Sequence, residues 1–439
     1  MSARPGKASM KKLLPIVISL AFGSLSQSAL ADDLAQIYQQ AKQNDPQLLK
    51  AAADKDAAFE AINSSRSVLL PQINLSAGYN TYHLDAKNNK DGFVGGLQLD
   101  QEIYNRSSWI GLDVSEKTAR QSDAAYSAEQ QGLILRVAQA YFNILKAKDD
   151  LSFGEAEKKA VGRQLEQMKQ RFEVGLSAIT DVHDAQAQYD QVAADVILKE
   201  NAVANSYEEL REITGREYTS LDTLNTKTFS VTPLQQSPDT FVKTAETDNL
   251  SLLASRIGQD IARDNISLAE SGHLPTLSFT SGYKYDKSGP VGDPDQGSLT
   301  AGIQLNLPVY SGGNISSQVK QAQYAYVASS EELEGQYRTV VKDVRNYYNN
   351  IHAAAGSIKA YKQLVISAKS ALEATEAGFD VGTRTIVDVL DSTKSLYSAN
   401  SLLANARYDY ILAQLQLKQA VGTLSEQDIV DINKGLIKQ

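Results

Sequence analysis

Apolar and polar positions along the chain change period in one order, and then in the same order again. From about residue 34 to 67 an Ala-, Gln- and Asp-rich stretch follows helical spacing, broken once at Asn44-Asp45-Pro46. A proline there suits the first turn of a new helix, so the pattern predicts a short helix followed by a longer one that ends before Pro71. Ile73, Leu75, Ala77 and Tyr79 then alternate with Asn74, Ser76, Gly78 and Asn80, the period of a half-exposed strand. Residues 83–92 read as a polar loop, and residues 93–103 as a return strand with Leu97 and Leu99 on one face. In the second half Leu277, Phe279 and Tyr283 mark a strand and residues 286–297 a Gly/Pro loop. Ile303, Leu305 and Leu307 mark the return strand, and Pro308 the start of the next helix. Each strand is expected to run for about ten residues.

After each hairpin comes an unusually long helical pattern, about residues 105–172 and 311–379, without proline and with only scattered glycine. At 1.5 Å per residue it spans roughly 100 Å, more than a globular core requires. It breaks at Val174-Gly175 and Val381-Gly382, where glycine fits a left-handed helix cap, and a shorter helix returns over residues 179–215 and 386–422. Val182, Ala185, Tyr189, Val192 and Val196 alternate spacings of three and four, a coiled-coil seam. Leu403, Ala406, Tyr410, Ala413, Leu417 and Ala420 do the same. The returning helix, roughly 55 Å, and the helix before the hairpin, roughly 33 Å, together nearly match the long one. Each half is therefore expected to be one long helix against two stacked shorter ones, with a β-hairpin at one end and a tight helical turn at the other.

The two halves are a duplication. Leu70-Pro71-x-Ile73-x-Leu75-x-x-Gly78-Tyr79 matches Leu274-Pro275-x-Leu277-x-Phe279-x-x-Gly282-Tyr283. Phe172-x-Val174-Gly175-x3-Ile179-x-Asp181-Val182-x-Asp184 matches Phe379-x-Val381-Gly382-x3-Ile386-x-Asp388-Val389-x-Asp391. The offset drifts only from 204 to 207 residues. The expected organisation is a first repeat over 32–218, a connecting segment over 219–238, a second repeat over 239–424 and a tail over 425–439. The last two non-repeat pieces are expected near the midpoint, where the short helices meet.

Composition removes several function classes. The chain has 439 residues, no cysteine and four histidines spread far apart, which excludes disulfides and thiolate chemistry and gives histidine-led metal sites no support. It contains no G-x-S-x-G, P-loop, G-x-G-x-x-G or H-E-x-x-H motif, so no enzyme is expected and no cofactor. Arg4, Lys7, Lys11 and Lys12, an apolar run over residues 13–25, and Ala29-Leu30-Ala31 form a signal-peptide pattern over residues 1–31. Removing those four cations takes the net charge from −9 to −13, which argues against nucleic acid as a partner.

Four strands cannot close a barrel, and exposed sheet edges are not tolerated in lipid. A membrane location therefore requires several chains to share one barrel, with Gln98, Asp100, Gln304 and Asn306 as lumen-facing candidates. The other reading is a periplasmic coiled-coil adaptor or structural rod without a pore. The duplicated turn, the run Gly382-Thr-Arg384-Thr-Ile-Val-Asp388-Val-Leu-Asp391 and the paired hairpins resemble the TolC family of outer-membrane efflux channels over essentially the whole mature chain. The fold class is thus mainly α with a small β part. The resemblance implies a homotrimer with a shared 12-stranded transmembrane barrel in the outer membrane of a Gram-negative bacterium, and an α-helical barrel in the periplasm. It also implies outer-membrane lipid, a periplasmic adaptor, and an inner-membrane efflux pump or ABC secretion transporter as partners.

Candidate residues lie at the helical turns. Asp388 and Asp391 sit one turn apart on one helix face, and three copies would place six carboxylates round one constriction that attracts cations. Thr385-x-x-Asp388 is also a capping-box pattern, which would leave Asp391 as the lining residue. Asp181 and Asp184 repeat the spacing and are assigned a structural role. By resemblance, Arg384 and Glu166 match the cation and the acid of a clasp that closes the entrance. Phe379 stands where the family has a tyrosine and has no hydroxyl to donate. Val174, Gly175, Val381 and Gly382 would form tips that an adaptor grips; simple helix capping is the other role for the glycines.

Overall fold

A computed structural model describes residues 33–84, 88–232, 234–287 and 296–438 of the chain, the side chains of 82–91 excepted. The expected signal peptide and the apices of both expected strand loops lie outside the described residues. The first half contains helices α1 (Leu34–Asn44) and α2 (Pro46–Ser67), strands β1 (Gln72–Leu84) and β2 (Asn88–Tyr104), and helices α3 (Arg106–Glu173) and α4 (Ile179–Thr214). The second half begins after a short strand β3 (Thr223–Leu224). It contains α5 (Pro238–Asp248), α6 (Leu250–Glu270), β4 (Thr276–Asp286), β5 (Gln296–Asn306), α7 (Asn314–Asp380) and α8 (Ile386–Val421). Helix α9 (Glu426–Asn433) and strand β6 (Leu436–Ile437) close the chain.

Local chemistry sets the breaks. The Asp45 carboxylate accepts the Leu48 N–H at 2.8 Å while its own N–H bonds back to Ala41, so one residue ends α1 and starts α2, with Pro46 in the first turn. Asn249 does the same between α5 and α6, accepting the Leu252 N–H at 2.9 Å. Asn105 caps α3 directly after β2. At the corresponding place in the second half the expected helix start at Pro308 is displaced to Asn314. Gly312 and Gly313 adopt φ of 62° and 83° there, so the chain turns through left-handed backbone before it can wind.

Helices α2 and α4 flank one side of α3, and α6 and α8 lie between α3 and α7. Helix α8 is apolar on two faces because it serves two seams. Leu403, Ala406, Tyr410, Ala413 and Leu417 meet Val340, Val344, Ile351 and Ile358 of α7, while Tyr408, Ile411 and Leu415 meet Leu133–Leu145 of α3. Halfway along α3, Tyr141 is fully buried and donates to the Asp222 carbonyl at 2.7 Å, beside the β3–β6 pair. The polypeptide between the repeats and the C-terminal tail thus wrap the middle of the rod.

The two hairpins form one antiparallel sheet in the order β1-β2-β4-β5. Register aligns Leu75 with Leu97, Leu97 with Tyr283 and Tyr283 with Leu299, and likewise Leu99 with Ile73 and Phe279 with Ile303, so the apolar residues of four strands share one face. The opposite face carries Asn74, Gln98, Gly282 and Thr300 in one row and Asp100, Thr280 and Gly302 in the next. Its two rows nearest the helices hold Gln304 opposite Ser278 and Asn306 opposite Thr276. Beyond the expected loop start at residue 83, β1 continues to Leu84 and β2 begins at Asn88. These strands run 13 and 17 residues, longer than the ten expected, because ladder bonds join backbone groups and persist after side-chain alternation fades. The second hairpin keeps strands of 11 residues each.

Candidate functional site

The two helical hairpins end in turns of matching construction. Gly175 and Gly382 adopt φ of 76° and 78°, left-handed values that favour glycine. In the first turn Gly175 N–H bonds to the Phe172 carbonyl at 3.0 Å and Leu176 N–H to the Arg171 carbonyl at 2.8 Å. In the second, Gly382 N–H bonds to Phe379 at 3.0 Å and Thr383 N–H to Gly378 at 2.8 Å. Wrapping the chain so tightly leaves the apolar residues at the apex few neighbours. Val174 is 69 % exposed, Leu176 76 % and Val381 74 %.

Behind the tips the hairpins pack together. Val161, Leu165 and Met168 of α3, Ala185 and Val192 of α4, and Ile386, Val389 and Leu390 of α8 form one buried cluster, with Phe379 at its edge. Burying those three α8 residues turns the other face of its first turns outward, where Asp388 is partly exposed and Asp391 exposed. Further from the tip the α3–α8 seam is polar. Gln164 donates to Thr393 at 2.9 Å, Tyr408 to Asp149 at 2.7 Å, and Lys146 pairs with Asp409 at 2.9 Å. Burial pushes the Asp149 carboxyl up, and the hydrogen bond from Tyr408 partly offsets this.

Asp388 takes part in a reciprocal cap. Its Oδ2 accepts the Thr385 N–H and Thr385 hydroxyl, both at 2.9 Å, and its own N–H bonds to Thr385 Oγ1 at 3.3 Å. The Thr385 backbone and hydroxyl bonds, with Arg384 nearby, hold the Asp388 carboxyl below its ordinary value. Within one chain the cap and the exposed carboxylate pair therefore coexist, with Asp391 outside the cap. Asp181 accepts from Ser177 at 2.7 Å and from the Ala178 N–H at 3.2 Å, and Asp184 is exposed.

The residues expected to form the clasp make other contacts within the chain. Among the described residues Arg384 and Glu166 do not pair within the chain. Glu166 accepts from Gln170 on its own helix at 3.3 Å, and the Arg384 stem folds over Gly378, where its Cγ would lie 2.8 Å from an added Cβ. Phe379 is engaged by a different cation. The Arg171 guanidinium sits 4.6 Å from the Phe379 ring centroid and Nη2 donates to Asp380 at 2.9 Å. Arg171, Asp380 and the exposed Leu176 escaped sequence reasoning. One signal was present: Asp380 lies in the last turn of α7, where the helix dipole disfavours an anion unless a cation answers it.

No helix among the described residues is long and apolar enough to cross a membrane. The apolar sheet face is different: Leu75 is 82 % and Leu299 77 % exposed in the single chain. Gln98, Asp100, Gln304 and Asn306 share the opposite face by register.

The family model described as outer membrane efflux protein matches residues 37–216 and 241–423. Outer membrane protein TolC of Vibrio cholerae serotype O1 is 61 % identical over 433 residues, spanning 97 % of this chain and 99 % of that protein. Outer membrane protein TolC of Escherichia coli K12 is 49 % identical over 445 residues, spanning 98 % and 90 %. The CmeC outer membrane channel of Campylobacter jejuni superposes with a TM-score of 0.79 over 98 % of both chains at 17 % identity, a likeness of fold.

Proposed function

This chain belongs to the outer membrane efflux protein family, and from that membership we propose how its geometry makes a channel. It is an outer-membrane channel for efflux and type I secretion. The observation that carries the mechanism is a four-stranded sheet with one continuous apolar face and two unpaired edges, mounted on helices of 68 and 67 residues. In lipid the apolar face is satisfied but the β1 and β5 edges are not. Three copies joined edge to edge give a 12-stranded barrel whose polar faces line water. Below it, α3 and α7 extend the duct by roughly 100 Å into the periplasm. A soluble rod would leave Leu75, Leu299 and their row in water, which disfavours the adaptor reading.

The helical tips form the periplasmic entrance. Asp391, together with the Asp388 oxygen left outside the cap, provides from each copy the carboxylates of a ring that attracts cations. The exposed Val174, Leu176 and Val381 present an apolar surface to a periplasmic adaptor, which joins the channel to an inner-membrane pump or ABC secretion transporter. Planar-bilayer conductance of wild type and of Asp388→Ala/Asp391→Ala tests this reading. Wild type is expected to conduct with cation preference and the variant to lose that preference. Folded trimer that does not conduct would sink the pore.

A further inference from the structure

We infer that Arg171 latches the last turns of the two helical hairpins to one another, beyond the apolar cluster that packs them, and so sets how easily the entrance opens. The inference rests on the channel reading above, in which the helical tips form the entrance. Arg171 lies three residues before the cap of α3, and its carbonyl is fixed by the Leu176 N–H at 2.8 Å, so its backbone belongs to the rigid turn of the first hairpin. Its side chain leaves that hairpin altogether. It stacks on Phe379 and donates to Asp380, the last two residues of α7 in the second hairpin. Elsewhere near the tip α3 and α7 each pack on α8; Arg171 runs directly from the end of one to the end of the other.

Repeat symmetry shows that the contact runs one way. Phe172 and Glu173 occupy in the first hairpin the places of Phe379 and Asp380 in the second, but the counterpart of Arg171 is Gly378. No cation returns from that position, and the space above Gly378 is filled by the stem of Arg384. The Arg384 stem thus lies over its own turn and not against the first hairpin. Phe379 cannot donate a hydrogen bond, yet its ring face accepts a guanidinium, and Asp380 supplies the anion beside it. A displacement of the second hairpin along or away from the first separates a donor and acceptor 2.9 Å apart and unstacks the ring. Arg171 is 29 % and Asp380 63 % exposed at the side chain, so the contact is solvated and breakable rather than a permanent staple.

Single-channel recordings of purified trimers would compare wild type with Arg171→Gln, Asp380→Asn, Phe379→Leu and the double variant Arg171→Gln/Asp380→Asn. Removing the cation is expected to raise open probability about fivefold, the scale of one stacked, solvated ion pair. Asp380→Asn and Phe379→Leu are each expected to raise it less. The double variant is expected to match Arg171→Gln alone, since both substitutions break one contact. Wild-type behaviour in Arg171→Gln, or independent multiplication in the double variant, overturns the inference. Asp380 is exposed, so Asp380→Asn reports even if Arg171→Gln trimers do not assemble. Loss of conductance in wild type would instead count against the channel reading.

Discussion

At the residue scale, one carboxylate serves a helix cap and, in the proposed channel, the entrance ring. Asp388 was legible both as a ring member and as a cap from Thr385-x-x-Asp388; the geometry shows the cap, made through one carboxylate oxygen, and the other is the one assigned to the proposed ring. Because its carboxyl is held below the usual value by bonds from Thr385, the cap's stabilisation is present above the ordinary carboxylate pKa and lost as pH falls through the lowered folded value. Thr385→Ala removes the hydroxyl bond and should move the pH midpoint of cation selectivity upward; an unchanged midpoint in bilayer reversal potentials would deny the cap a role. Phe379 teaches a different lesson. Its missing hydroxyl was visible in the sequence, but the cation that stacks on its ring, Arg171, comes from 208 positions away. Only packing of the two hairpins brings the pair together.

At the element scale, glycines with similar backbone angles carry different loads. Gly382 has φ 78° with open space where a Cβ would stand, so Gly382→Ala should cost about 1 kcal/mol of backbone strain and little else. Gly422 has φ 89°, and an added Cβ would lie 2.1 Å from the Asp248 carbonyl oxygen. Gly422→Ala should therefore lower the thermal melting midpoint far more than Gly382→Ala, as circular dichroism can measure; equal losses would mean that the α5–α8 junction yields easily. Helix lengths and breaks were readable because proline, glycine and capping residues act within a few positions. Strand ends were not, since β1 and β2 continue by backbone pairing through residues whose side chains carry no alternating signal.

At the scale of the whole molecule, the open edges make a direct prediction. Ala77 of β1 and Ala301 of β5 lie on the same, apolar face by register. In a shared barrel β5 of one copy meets β1 of the next, which sets apolar-face positions of the two strands opposite one another. The cysteine-free background lets Ala77→Cys/Ala301→Cys report this as covalent dimers and trimers on oxidation. If no apolar-face pair between β1 and β5 cross-links, the edges are not joined and the shared barrel fails.

The sequence by itself determined the duplication, the order of elements, the long helices and their tight turns, and which strand residues alternate. These follow from period, proline and glycine, all of them local or repeated signals. The tertiary structure decided the rest: that the two hairpins join through β2 and β4, that α8 serves two seams, and that Arg171 crosses to Phe379 and Asp380. Each of those depends on which surfaces meet after folding. A pairing between distant residues leaves no period in the chain.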